Sequence, residues 1–187
     1  MVKIKMFIDM DKEEQYLTDM AINGMIFKRK IPGGYYFEKA EGEKLNYRID
    51  YRLFHQKADF QEYVLFLADA GWTLVDGHYN SGNQYFLSKE KMCDEKLFSD
   101  YSSKAGRYER YLRNAIISIF VSLIYIFLLS FVAIQISPDS KKLTSVMSTL
   151  QYSLLVIFIL YAFYESTCAV IARNVYKRTN IKKMITR

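Results

Sequence analysis

Two histidines, two cysteines and one cluster of carboxylates are the residues from which this 187-residue chain would have to build catalysis or a metal site. His55 and His78 stand apart, and neither has metal-ligand spacing to Cys93 or Cys168. Surface or structural roles suit both better than catalysis. Asp9, Asp11, Glu13 and Glu14 gather at the start of an expected helix, where attraction to the helix dipole accounts for them without chemistry. No glycine-rich phosphate loop follows a strand, Pro32-Gly33-Gly34 reads as a turn, and no Ser, Cys or Lys lies in a nucleophile motif. The residues point to no catalytic site, no metal and no cofactor.

Binding chemistry is better represented. Tyr35, Tyr36, Phe37, Tyr47, Tyr51, Trp72, Tyr85 and Phe86 all fall on expected strands, where cross-strand pairing and core packing use most of them. Strand alternation puts Tyr36 and Glu38 on the side opposite Tyr35 and Phe37. Together with Arg48, Asp50 and Arg52 they would floor a groove whose aromatic walls and few polar groups suit a small molecule. A solvated, salt-bridged sheet face is the plainer reading of the same pattern.

The elements that would position these residues come from an internal repeat. EEQYLTDMAINGM (13–25) returns as FQEYVLFLADAGW (60–72), shifted by 47, with Tyr16 matching Tyr63, Met20 Leu67, Ala21 Ala68 and Gly24 Gly71. YYFEKAE (35–41) returns as QYFLSKE (84–90), shifted by 49. Each copy, 2–41 and 45–90, reads strand, helix, strand, strand.

In the first copy, Val2, Ile4, Met6 and Ile8 alternate along a strand over 2–9. Asp11 and Glu14 resemble a capping box, and Leu17, Met20, Ala21 and Gly24 mark one helix face. Gly24 suits the left-handed position that ends the helix. Strands over 25–31 and 35–39 follow. The second copy opens on LNYRIDYRL (45–53), where Leu45, Tyr47, Ile49, Tyr51 and Leu53 alternate with polar residues. A helix capped at Asp59 runs to Ala70 with Phe60, Val64, Leu67 and Ala68 inward. Strands over 72–78 and 84–88 turn at Asn80-Ser81-Gly82. The expected fold is α+β over 1–91: an antiparallel sheet with two helices on one face.

Beyond residue 91 the chemistry changes. Residues 1–100 carry 14 Lys+Arg against 17 Asp+Glu, whereas residues 101–187 carry 12 against 3. Asn114–Pro138 contains no charge, and Met147–Ala172 contains one, Glu165. Two apolar runs of the ~20 residues that cross ~30 Å of hydrocarbon predict an all-α two-helix transmembrane hairpin. Its parts are a juxtamembrane helix over 92–113, spans over 114–135 and 147–172, a short outer loop over 136–146, and a basic tail over 173–187.

Cations flank the outer ends of both runs. Lys104, Arg107, Arg110 and Arg113 precede the first; Arg173, Lys177, Arg178, Lys182, Lys183 and Arg187 follow the second. The connector has only Lys141 and Lys142, so both termini are expected in the cytosol of a multi-pass plasma-membrane protein. Arg107, Arg110, Arg113, Arg173, Lys177 and Arg178 are then membrane-surface residues. Basic residues beside apolar runs fit a lipid bilayer better than nucleic acid.

Glu165 lies on a stripe with Ala162 and Ala169 whose small residues suit helix contact. The partner would be another membrane protein or a second copy. Two isolated cysteines fit a reducing compartment, and MVKIKMFIDMDKEE lacks an apolar stretch of signal-peptide length.

The ordered blocks FIDMDKEEQYLTDMAINGM, YYFEKAEGEKLNYRIDYR, EYVLFLADAGWTLV and QYFLSKE resemble the bacterial membrane proteins that carry domain of unknown function 2812. The resemblance covers roughly residues 3–90, and a following membrane hairpin is typical of such proteins. It implies an uncharacterised family, mainly from Firmicutes, often encoded near PadR-type regulators and hence at most a stress or envelope-response setting. Paired strand-helix-strand-strand units are also similar to gyrase-inhibitor-like domains, which hold small molecules between copies. That likeness is one of fold, and fold does not confer function. The expected role is a membrane-anchored, non-catalytic regulatory or protein-interaction module; the alternative is a sensor or sequestering protein for a lipophilic or aromatic ligand.

Overall fold

The computed structural model describes residues 1–43, 45–88, 101–135 and 141–185. Cys93, the start of the juxtamembrane segment and the Pro138 connector lie outside the described residues. The chain divides into two compact units, Met1–Tyr111 with Asn174–Arg187, and Leu112–Arg173.

The first unit is α+β and duplicated. Its order is β1 (Val2–Ile4), α1 (Met10–Ile22), β2 (Met25–Ile31), β3 (Gly34–Lys39), then β4 (Asn46–Tyr51), α2 (Lys57–Asp69), β5 (Thr73–Asp76), β6 (Asn83–Ser88). Each copy forms its own three-stranded antiparallel sheet with the last strand in the middle, β1-β3-β2 and β4-β6-β5. Where the alternation predicted a single sheet there are two, joined where β2 meets β5: the backbone N–H of Lys30 donates to Asp76 at 2.6 Å.

The aromatic residues explain the core. Phe27 on β2 lies against Tyr35, Phe37, Tyr47 and Tyr85, with ring centroids 5.1–6.1 Å apart. All five are fully or almost fully buried. Edge-to-face contact of this kind adds about 0.5–1.5 kcal/mol per pair beyond area burial. A smaller cluster of Leu67, Trp72 and Phe86 holds α2 on its sheet.

Several local expectations shift. β1 is three residues long, and Val2, Ile4 and Met6 are exposed, because no helix among the described residues covers that strand. Asp9, not Asp11, caps α1, accepting from the backbone N–H of Asp11 and Lys12 at 3.1 and 3.4 Å. Glu14 therefore has no capping task and turns into the core. α2 begins at Lys57 after Gln56, two residues before Asp59, and Ala68 and Leu53 are exposed. Gly24 does take the left-handed conformation, φ +74°, just after α1.

The second unit holds most of two helices, α3 (Tyr101–Gln135) and α4 (Lys141–Ile185). Both are long and apolar enough to cross a membrane, over Lys104–Val132 and Thr149–Thr179. They form a hairpin: Tyr125 stacks on Phe158 at 5.2 Å, the Ser118 and Tyr161 hydroxyls lie 2.8 Å apart, and the Gln151 side chain donates to the Leu129 carbonyl. α4 begins inside the expected loop and continues through the expected tail, so both of those segments are partly helical.

Candidate functional site

The site is built on α1. Its buried face consists of Met10, Glu13, Glu14, Leu17, Met20 and Ala21, a regular helical stripe with carboxylates in two apolar positions. A buried carboxylate costs several kcal/mol unless it is paired and hydrogen-bonded, so each must have partners.

Glu14 has them on β4 and α3. Its Oε1 accepts the backbone N–H of Ile49 at 2.9 Å and the Arg107 guanidinium at 2.5 Å, and Arg48 lies 3.7 Å from Oε2. Burial pushes the Glu14 carboxyl above its ordinary range, and the Arg107 charge works against that rise. Arg107 is only 2 % exposed. It also donates to the Ile49 carbonyl at 2.7 Å and to Asp11 at 2.7 Å. Beside it, the Tyr108 hydroxyl accepts the Met10 N–H at 2.9 Å and donates to Asp9 at 3.2 Å, while Lys104 lies 3.5 Å from Asp11.

Arg110 completes the contact. It donates to the Tyr51 carbonyl at 2.6 Å and to Asp50 at 2.5 Å. The Tyr111 ring stands 5.2 Å from that of Tyr51. Lys104, Arg107, Tyr108 and Tyr111 recur at i, i+3, i+4 and i+7, one face of α3. β4 is an edge strand, whose outward N–H and C=O groups would otherwise be unpaired. Glu14, Arg107 and Arg110 satisfy them with charged side chains in place of a neighbouring strand. The result is an ionic clamp that fixes the first turns of α3 to both copies of the repeat.

Glu13 anchors a second constellation. Its Oε1 accepts the Tyr35 hydroxyl at 2.6 Å, the Tyr85 hydroxyl at 2.9 Å and the Lys30 ammonium at 2.9 Å. The same ammonium lies 3.7 Å from the Tyr35 ring centroid. Burial, then the Glu13 charge, hold the Tyr35 and Tyr85 phenols well above their ordinary value. Tyr47, whose hydroxyl accepts the Phe27 N–H at 3.3 Å, is pushed up to about 12 by burial. The Tyr63 phenol is raised by burial and then by Asp50, to which it donates at 2.7 Å.

The residues expected to floor a groove divide into two groups. Tyr36 and Glu38 find partners on β2: Arg29 lies over the Tyr36 ring at 5.4 Å, and Lys28 pairs with Glu38 at 3.0 Å. Arg48, Asp50 and Arg52 find theirs on α1, α2 and α3, with Arg48 5.8 Å from the Trp72 ring and Arg52 4.7 Å from that of Tyr63.

Arg107 and Arg110, expected in the headgroup zone, are instead held inside the α+β unit by Glu14, Asp11 and Asp50. Each has found a carboxylate that outcompetes water. Arg113, Arg173, Lys177 and Arg178 are exposed. On α4, Ala162, Glu165 and Ala169 are half-buried beside the buried Cys168 and Ala172. His78 Nδ1 lies 2.6 Å from Asn80 in an exposed turn. Among the described residues no three His, Cys, Asp or Glu side chains gather as metal ligands.

Glu13, Lys30, Tyr35 and Tyr85 escaped the sequence reading as a group. Their signal was present: Glu13 and Glu14 interrupt the apolar stripe of α1, and helix-dipole attraction does not require carboxylates on the buried face.

No curated protein and no solved structure matches the chain. A family model described as "Protein of unknown function (DUF2812)" matches residues 9–121, from the Asp9 cap through both copies and the clamping turns of α3. With more than half of its length matched, the chain belongs to the DUF2812 family.

Proposed function

We propose that this protein is a membrane-anchored regulatory module whose α+β domain lies in the cytosol and controls the helix entering the first span. The observation that carries this reading is Arg107, buried in the domain yet seven residues before the uncharged run that begins at Asn114. An ionic contact on an edge strand is a switchable one: a partner that takes Glu14, Asp11 or Asp50 frees the first turns of α3. The exposed cations Arg113, Arg173, Lys177 and Arg178 support both termini facing the cytosol. The partner is then another membrane protein or a cytosolic protein.

Affinity purification in mild detergent tests this. An Arg107→Gln variant is expected to change the set of co-purifying proteins relative to wild type at equal expression. Recovery of both forms alone, under several growth conditions, counts against a regulatory module. Digestion of residues 1–90 by external protease in sealed cells reverses the topology.

A second reading, a sensor for organic cations, draws on Glu13. A buried carboxylate beneath aromatic rings already holds one cation, the Lys30 ammonium, and the same chemistry suits an exogenous one. Lipophilic cations should then raise the thermal midpoint of wild type and not of Glu13→Gln. No shift with any such compound removes this reading.

A further inference from the structure

The duplication relates the two copies residue by residue. Val2 lies opposite Tyr36 on β3 as Ile49 lies opposite Tyr85 on β6, and Lys3 opposite Tyr35 as Asp50 opposite Gln84. β1 and β4 thus correspond at a shift of 47, the shift that also relates α1 to α2.

At the centre of the chain the copies join in one way, with α1 covering β4. Ile49 is fully buried there and donates its N–H to Glu14. The corresponding surfaces at the two ends are open among the described residues. Val2 and Ile4, which answer to Ile49 and Tyr51, are 53 % and 89 % exposed. Met1 and Lys5 bond across to Phe37 and Gly33, so the N–H and C=O of Val2 point away from β3. On α2, Gln61 stands where α1 has Glu14. Ala68 is exposed where Ala21 is fully buried, and Leu65, one turn after Gln61 on the same face, is 65 % exposed. One end of the domain is a strand edge lacking its helix; the other is a helix face lacking its strand.

We propose that these are the two sides of one interface between copies of this chain: β1 of one copy docks on α2 of a second, repeating between chains the α1–β4 contact within each. The Gln61 amide oxygen accepts the Val2 N–H as Glu14 accepts that of Ile49. Its amide NH₂ donates to the Val2 carbonyl, the part Arg107 plays at Ile49. A neutral amide supplies both halves of that pairing without a buried charge to compensate. Val2 and Ile4 then cover Leu65 and Ala68, which share the Gln61 face at i+4 and i+7, and the reciprocal contact closes a two-fold dimer. Exposed apolar edge strands are otherwise an aggregation hazard, and a defined docking partner removes it.

The test uses the full chain in mild detergent, with Cys93→Ser and Cys168→Ala in the background. Two differently tagged populations are co-expressed, one carrying Val2→Cys and the other Gln61→Cys, and are mildly oxidised. The mixed-tag disulfide dimer is expected at a yield at least tenfold above that of Val2→Cys with Glu38→Cys, an exposed site on the outer sheet face. Ile4→Asp and Leu65→Asp, both at exposed positions, should each abolish the dimer in light scattering while moving the thermal midpoint by no more than a few degrees. A mixed-tag yield no higher than the Glu38 control overturns the proposal. So does a dimer that survives both aspartates, the pattern of association through the hairpin helices alone.

Discussion

Glu14 and Arg107 are 93 residues apart in sequence and meet at 2.5 Å, both almost wholly buried, on the open edge of β4. Neither charge is affordable without the other. Removing one partner of a buried pair costs about 3–5 kcal/mol, whereas an apolar pair of similar volume is often neutral or stabilising. Arg107→Met and Glu14→Leu should therefore each lower stability by about that amount, and the double variant should recover part of it, the Ile49 N–H and C=O being left without these partners. Thermal unfolding of the detergent-solubilised chain measures all four corners of the cycle. Additive losses in the double variant would show that the two residues act independently.

Tyr35, Tyr63 and Tyr85 set the alkaline limit of the fold. Their folded values lie above the ordinary phenol value of 10.0, through burial and then the neighbouring Glu13 or Asp50 charge. The stabilisation this represents is complete below pH 10 and is lost as pH rises from 10 through the folded values. Each phenol contributes a slope of about 1.4 kcal/mol per pH unit in that window, or about 4 for the three together. Tyrosinate absorbance should therefore show these phenols appearing only in one cooperative step, coincident with loss of ellipticity. Smooth titration of every tyrosine in a folded chain contradicts the assignment.

Most of the first unit was legible because its periods are local. LNYRIDYRL alternates, and Tyr47 and Ile49 are indeed inward; Leu17, Met20 and Ala21 mark the buried side of α1 as their spacing requires. The repeat gave the element order of both copies. Three things were not legible, each for want of a long-range partner. Arg107 and Arg110 sit beside an apolar run, and only the fold reveals carboxylates 93 and 60 residues away. Val2 and Ile4 alternate like a buried strand, but alternation cannot say whether a second layer lies above. Tyr36 and Glu38 share a face as expected, yet β2 supplies Arg29 and Lys28 to occupy them, so they do not reach Arg48 or Asp50 as binding partners.

Gly24 and Gly33 separate backbone strain from collision. Both hold φ near +74°, where an L side chain costs about 1–2 kcal/mol. A Cβ on Gly33 meets nothing within 4 Å, but one on Gly24 would lie 2.7 Å from the Ala40 carbonyl oxygen. The Ala40 N–H donates to the Gly24 carbonyl at 3.0 Å, so that backbone has little room to withdraw. Gly33→Ala should cost about 1 kcal/mol and Gly24→Ala about 2–4, a difference readable as denaturation midpoints. Equal costs would mean that the Gly24–Ala40 approach relaxes freely.

The clamp also predicts where the domain opens first. The Ile49 N–H is bonded to a carboxylate held by Arg107, whereas the neighbouring Asp50 lies opposite Gln84 within the β4–β6 ladder. Arg107→Gln leaves the sheet intact but loosens Glu14, so protection at Ile49 should fall at least tenfold while residues of β6 exchange as before. A tenfold change corresponds to about 1.4 kcal/mol of local opening, well below the cost of global unfolding. The Met10 N–H, bonded to the Tyr108 hydroxyl, should lose protection with it, because both amides depend on the same turns of α3. Residue-resolved hydrogen exchange on the full chain checks this. Uniform loss of protection across β4 and β6 would place Arg107 in global stability, and unchanged protection at Ile49 and Met10 would show that α3 does not govern the open edge of β4.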